Sequence, residues 1–129
     1  MPGRLDAIGI VASDIARSVA FYRAIGVDAR EPSGDDHFEA TLPNGVRLMW
    51  DTEELIKQID PTWSPPGHHR VALAFLCDSP ADVDETYARA VAAGGSGSME
   101  PWDAFWGQRY AEVRDPDGQA VHLFAPLGV

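Results

Sequence analysis

The chain has 129 residues, 45% of them hydrophobic and 23% charged, a balance that suits one globular domain able to bury a core without disulfides or a structural metal. Its 20 acidic side chains against 10 basic ones give a formal charge of -10, which repels nucleic acid and anionic membrane surfaces and argues against both as partners. A lone cysteine, Cys77, with no apolar leader and no run long enough to cross a bilayer, leads us to expect a reducing, cytoplasmic setting and no membrane span.

Taken in order, residues 5–11 read as an apolar strand. Ser13-Asp14 then offers a helix cap, and Ile15, Val19, Tyr22 and Ile25 recur at helical spacing until Gly26 ends the helix. Three short strands are expected next, at 27–30, 37–42 and 46–50, with Pro43-Asn44-Gly45 turning between the last two. A short helical insert within 51–63 leads to a proline-rich connector. The same order then returns. A strand at 70–77 is followed by Ser79-Pro80-Ala81-Asp82, which opens a helix with Val83, Tyr87, Ala90 and Val91 as its buried stripe and Gly94-Gly95 as its end. Strands near 98–102, 108–114 and 119–124 complete the unit, with Asp115-Pro116-Asp117-Gly118 turning between the last two.

The chain therefore reads as an α+β fold of two tandem βαβββ modules, 1–60 and 68–129, joined by the connector 61–67. Each half, at about 60 residues, is near the lower limit for folding alone, so the two are expected to share one core.

Period-two counting separates the faces of the strands. His122 shares a face with Ala120 and Phe124, Tyr110 with Gln108 and Glu112, and Arg47 with Met49 and Asp51, leaving Trp50 on the opposite side. Trp63, Trp102 and Trp106 lie in the connector and strands, where flat aromatic faces are placed to stack on a flat ligand. Phe38 alternates with Ala40 and Leu42 and fits either core or cavity. Each polar member also fits a plainer role: His122 as a satisfied structural group, Glu112 as a solvated edge, Arg109 as the partner of a surface carboxylate. His68-His69 is a poor chelating pair, because adjacent strand residues diverge. No phosphate loop, nucleophile elbow or cysteine-based metal spacing is present, and Cys77 reads as packing.

These elements and turns resemble the vicinal oxygen chelate superfamily, which includes glyoxalase I, extradiol dioxygenases and bleomycin resistance proteins. The resemblance runs over nearly the whole chain, from the first strand and helix at 5–22 to the closing turn Asp115-Pro116-Asp117-Gly118. It implies modules curled around a shared cavity, usually in a dimer, with metal ligands of the enzymes at four strand positions. Those positions fall here on Ala7, Met49, Ala72 and His122. One imidazole among four implies no metal and no other cofactor. Residues 47–52, Asp60-Pro61-Thr62-Trp63, Pro101-Trp102 and 106–111 further resemble the branch that sequesters drugs, the mitomycin- and bleomycin-binding resistance proteins. That resemblance implies a homodimeric, metal-independent protein that holds a planar aromatic antibiotic through Phe38, Arg47, Met49, Asp51, Trp63, Trp102, Trp106, Tyr110, Glu112 and His122. The alternative it leaves open is a lyase, isomerase or dioxygenase acting on a small metabolite.

Overall fold

The computed structural model describes residues 2–67 and 69–128, so of the pair His68-His69 the first lies outside the described residues. In chain order the elements are β1 (Ala7–Ala12), α1 (Ile15–Ala24), β2 (His37–Thr41), β3 (Arg47–Thr52), α2 (Glu53–Ile59), β4 (Leu73–Leu76), α3 (Pro80–Ala92), β5 (Ser96–Ala104), β6 (Gln108–Arg114) and β7 (Ala120–Pro126). The fold is α+β, with two mixed sheets. The first has strand order β1-β3-β2 and the second β4-β7-β6-β5. In each, the first strand runs parallel to the last one of its own module.

Local chemistry sets the helix starts. The Asp14 carboxylate accepts from the Arg17 N–H at 3.1 Å, and the Ser79 hydroxyl from the Asp82 N–H at 3.2 Å, with Pro80 in the first helical position where no N–H is needed. Thr52 caps α2 in the same way, through the Leu55 N–H at 3.1 Å. The internal repeat is visible at the turns. Gly45 and Gly118 occupy corresponding places with φ of 89° and 91°, a left-handed conformation open to glycine at no steric cost.

Two expectations need correction. The strand at 27–30 does not form, so the first module is β-α-β-β followed by α2. The Val27 N–H donates to the Tyr22 carbonyl at 3.0 Å, which closes the end of α1. Val27 is buried and Asp28 exposed, so the alternation persists, but the segment pairs with no strand. In α3, Thr86 rather than Val91 completes the buried stripe, at three residues from Val83; Val91 is 40% exposed.

Both modules contribute to a single core. Trp50 is fully buried, edge-on to Tyr22 at 5.8 Å, and its indole N–H donates to the Ser18 hydroxyl at 3.0 Å. Across the module junction, Phe21 lies so close to Gly95 that a Cβ there would come within 2.5 Å of its ring. The Arg89 Nε donates to the Ala24 carbonyl at 3.2 Å, and the Ser13 hydroxyl donates to Asp117 at 2.6 Å. At the centre, the buried Tyr22 hydroxyl donates to Asp115 at 2.9 Å, and Asp115 also accepts from the backbone N–H groups of Asp117 and Gln119. Burial, and then the neighbouring Asp115, hold the Tyr22 hydroxyl far above its ordinary pKa, so it keeps its proton and donates it to Asp115.

The strand β5 is an outer strand of its sheet and breaks register with β6 between Gly97 and Met99 and again between Met99 and Trp102. Among the described residues no helix is long and apolar enough to cross a membrane.

Replacing Tyr22 by phenylalanine removes one donor from a buried carboxylate while leaving the packing in place. Urea unfolding of Tyr22→Phe is expected to show a stability loss of about 1.5–3 kcal/mol.

Candidate functional site

Strand pairing assembles two rows of side chains on the sheet faces opposite the helices. In the first sheet, Arg47, Met49 and Asp51 stand across from Thr41, Glu39 and His37, with Ala7, Gly9 and Val11 on the other flank. Their neighbours Leu48 and Trp50 point the other way, into the core. In the second sheet, Tyr110 and Glu112 stand across from Phe124 and His122, with Trp102 and Met99 on β5 and Leu76 on β4 completing the face. Ala111, Val113, Val121 and Leu123 take the buried side. The inward and outward alternation expected of these strands is therefore the observed one.

The two rows differ in chemistry. The first is a chain of ion pairs. Arg47 bridges Asp6 at 2.8 Å and Glu39 at 2.7 Å, while the two ring nitrogens of His37 meet Asp51 at 2.5 Å and Glu39 at 2.7 Å. These carboxylates, Asp51 foremost, raise the His37 pKa above the ordinary 6.5, and His37 in turn holds Glu39 below the usual carboxylate range.

The second row is aromatic. Trp102 and Trp106 meet edge to face at 5.6 Å, Trp106 and Tyr110 at 5.3 Å, and Tyr110 stacks on Phe124 at 6.3 Å. The indole N–H of Trp106 donates to the Gln108 side chain at 2.7 Å, which fixes its ring plane. Trp102 is 37% exposed and Trp106 48%, and Phe105 at the hairpin tip is 91% exposed. Beneath the rings runs a polar chain. The Tyr110 hydroxyl is hydrogen-bonded to Nδ1 of His122, and Nε2 of His122 reaches Glu112 at 3.0 Å. Glu112 accepts only, so Nε2 carries a hydrogen, and in that tautomer Nδ1 is the acceptor for the Tyr110 hydroxyl. The Ser98 hydroxyl, donating to Glu112 at 2.5 Å, is the main cause of the lowered Glu112 pKa; burial, followed by the charge of Glu112, raises that of Tyr110.

Of the ten residues expected at the ligand, the structure brings Trp102, Trp106, Tyr110, Glu112 and His122 together on one face and Arg47, Met49 and Asp51 on another. Phe38 belongs to neither. It is 7% exposed and packs against Trp50 at 5.8 Å, because His37 and Glu39 take the open side of β2. Trp63 lies apart, in a cavity between the sheets lined also by β1 and the connector. Glu39 and Ser98 were not expected at the site. The signal for Glu39 was present in the alternation His37-Phe38-Glu39-Ala40; that for Ser98 was hidden by the irregular register of β5.

A family model described as the Glyoxalase/Bleomycin resistance protein/Dioxygenase superfamily matches residues 4–123. The chain belongs to this superfamily. An enzyme of the same family from Burkholderia phytofirmans PsJN is 20% identical and has a TM-score of 0.82, covering 97% of this chain and 100% of its own. A glyoxalase-related enzyme from Fulvimarina pelagi is 21% identical at a TM-score of 0.80, covering 98% and 93%. A protein of unknown function from Agrobacterium tumefaciens is 26% identical at a TM-score of 0.71, covering 98% and 97%. No curated protein matches the chain.

The residues present do not fit the metal centre of the superfamily's enzymes. Of its four positions, Ala7 and Ala72 carry no donor, Met49 offers a soft thioether, and His122 has both nitrogens engaged by Tyr110 and Glu112. Among the described residues no three His, Cys, Asp or Glu side chains gather as a metal-binding group.

An NMR titration of the His37 ring is expected to give a midpoint above 6.5, and Asp51→Asn is expected to lower it. Because the folded-state value is the raised one, the favourable contribution of this cluster is complete below about pH 6.5 and fades as pH rises through the folded-state midpoint.

Proposed function

We propose that the protein binds a planar aromatic small molecule on the face formed by Trp102, Trp106, Tyr110 and Phe124, and holds it without covalent change. The observation that carries this reading is the continuous set of edge-to-face and stacked rings left open on one sheet. A flat conjugated ligand laid on them gains apolar burial together with stacking, while the His122–Glu112 pair below offers hydrogen bonds for orientation. Mitomycin-like and bleomycin-like antibiotics have the required flat, conjugated character, and their sequestration would confer resistance.

We further propose that the protein works as a homodimer. Both rows stand on open sheet faces, and a site that buries most of a drug-sized ligand needs a second wall. Setting the ion-pair row of one copy against the aromatic row of its partner would supply that wall, with Arg47, Met49 and Asp51 as its contribution.

One observation favours a second reading. The chain Tyr110–His122–Glu112 is an oriented proton path of the kind used in general acid–base chemistry. A metal-independent lyase or isomerase would use His122 as the proton carrier and Glu112 to hold its tautomer.

Titration with a mitomycin-type and a bleomycin-type antibiotic, followed by tryptophan fluorescence and mass analysis of the recovered ligand, separates the two. Sequestration predicts saturable quenching with the ligand intact; a chemically altered ligand supports the enzyme, and absence of binding overturns the antibiotic assignment. Trp106→Ala is expected to weaken binding about tenfold, since the stacking it removes is worth about 0.5–1.5 kcal/mol before the lost burial is added. Unchanged affinity would remove Trp106 from the site.

A further inference from the structure

Between the two sheets lies a cavity of about 410 Å³ that the aromatic face does not use. Its long walls are the free edges of two strands. Among the described residues β1 pairs only with β3, and β4 only with β7, so each ends its sheet and turns its unpaired side toward the seam. Ile8 and Ile10 line one wall, Leu73 and Val71 the other, and Trp63 with Pro65 and Pro66 of the connector close the end. This size and apolar lining are those of a small-molecule site. The open strand edge adds backbone N–H and C=O groups that a ligand in the seam can meet.

The carboxylates of the lining are Glu53, Asp115 and Asp117; His69 is its other titratable side chain, and among the described residues neither lysine nor arginine lines it. Two of the three carboxylates are already committed: Asp115 to Tyr22 and two backbone N–H groups, Asp117 to Ser13. Glu53, in the first turn of α2, has no hydrogen bond or ion pair among the described residues. An apolar chamber with one uncommitted carboxylate, in a chain of net charge -10, is complementary to an organic cation.

We propose that this seam is a second binding site, distinct from the aromatic face, for a small aromatic or alicyclic amine. The apolar body lies between Ile8, Ile10 and Leu73 against Trp63, and the ammonium group pairs with Glu53. Neutral molecules of the same shape fill the chamber but leave Glu53 unpaired, so the site selects for charge.

The test compares 1-naphthylmethylamine with 1-naphthylmethanol, of nearly equal size, by calorimetry and by backbone amide NMR on the full chain at pH 7. The amine is expected to bind at least tenfold more tightly than the alcohol, with shift changes at residues 8–11 and 71–73. Glu53→Gln is expected to abolish the preference and leave the alcohol unaffected. Val71→Trp, which places a ring in the chamber, is expected to lower the affinity of both probes. Trp106→Ala is expected to change neither, so that failure of the aromatic-face reading and failure of this one remain separate. Equal affinity of amine and alcohol, or a preference that survives Glu53→Gln, overturns the proposal. So does binding that disappears with Trp106→Ala, since the probe would then occupy the aromatic face.

Discussion

The arrangement of the two modules turns on a single buried carboxylate. Asp115 sits in the turn between β6 and β7 of the second module, yet the side chain that donates to it is Tyr22 on the helix of the first. Burying a carboxylate is costly unless its oxygens are satisfied, and here three donors from two modules do so. The same turn continues into Asp117, which accepts from the Ser13 hydroxyl beside the cap of α1. A hairpin turn in one half thereby fixes the position of a helix in the other. Around this node Phe21 presses on Gly95 and Trp50 stands against Tyr22, so polar and apolar contacts specify the same packing.

That packing determines what the open faces can present. With α1 and α3 on the inner side, the alternating residues of each sheet divide into a buried set and an open one. The open sets are chemically unlike although the modules share an architecture. Arg47, Glu39, His37 and Asp51 neutralise one another across β2 and β3, whereas the corresponding surface of the second sheet concentrates its aromatic rings over one histidine and one glutamate. A repeat whose halves have diverged this far offers a ligand two different walls, one for charge and one for stacking. The four positions that would hold a metal have followed the same course, with alanine at two of them.

Much of this was legible in the sequence because it rests on short-range rules. Helix caps at Asp14 and Ser79, the matched turns at Gly45 and Gly118, and the alternation along β3, β6 and β7 each depend on residues within a few positions of one another. What escaped depends on partners distant in the chain. The 27–30 segment alternates like a strand, but a strand also needs a neighbour, and its sequence does not reveal that none is there. Phe38 could face either way until its strand's register with Trp50 was known. The seam cavity around Trp63 arises where two sheet edges fail to meet, a relation that no local pattern encodes.

The broken register of β5 has an effect on how the molecule can associate. An uninterrupted counting from Asp103 opposite Arg109 would set Glu100 against Glu112; one extra residue in β5 instead brings Met99 there and keeps two like charges apart. The same irregularities interrupt the regular ladder along this side of the sheet. A foreign strand finds no continuous template on which to add, and runaway edge-to-edge growth is blocked at that border. The aromatic surface beside it can then stay uncovered without inviting fibrous assembly, and contact with another molecule is directed onto the broad side of the sheet.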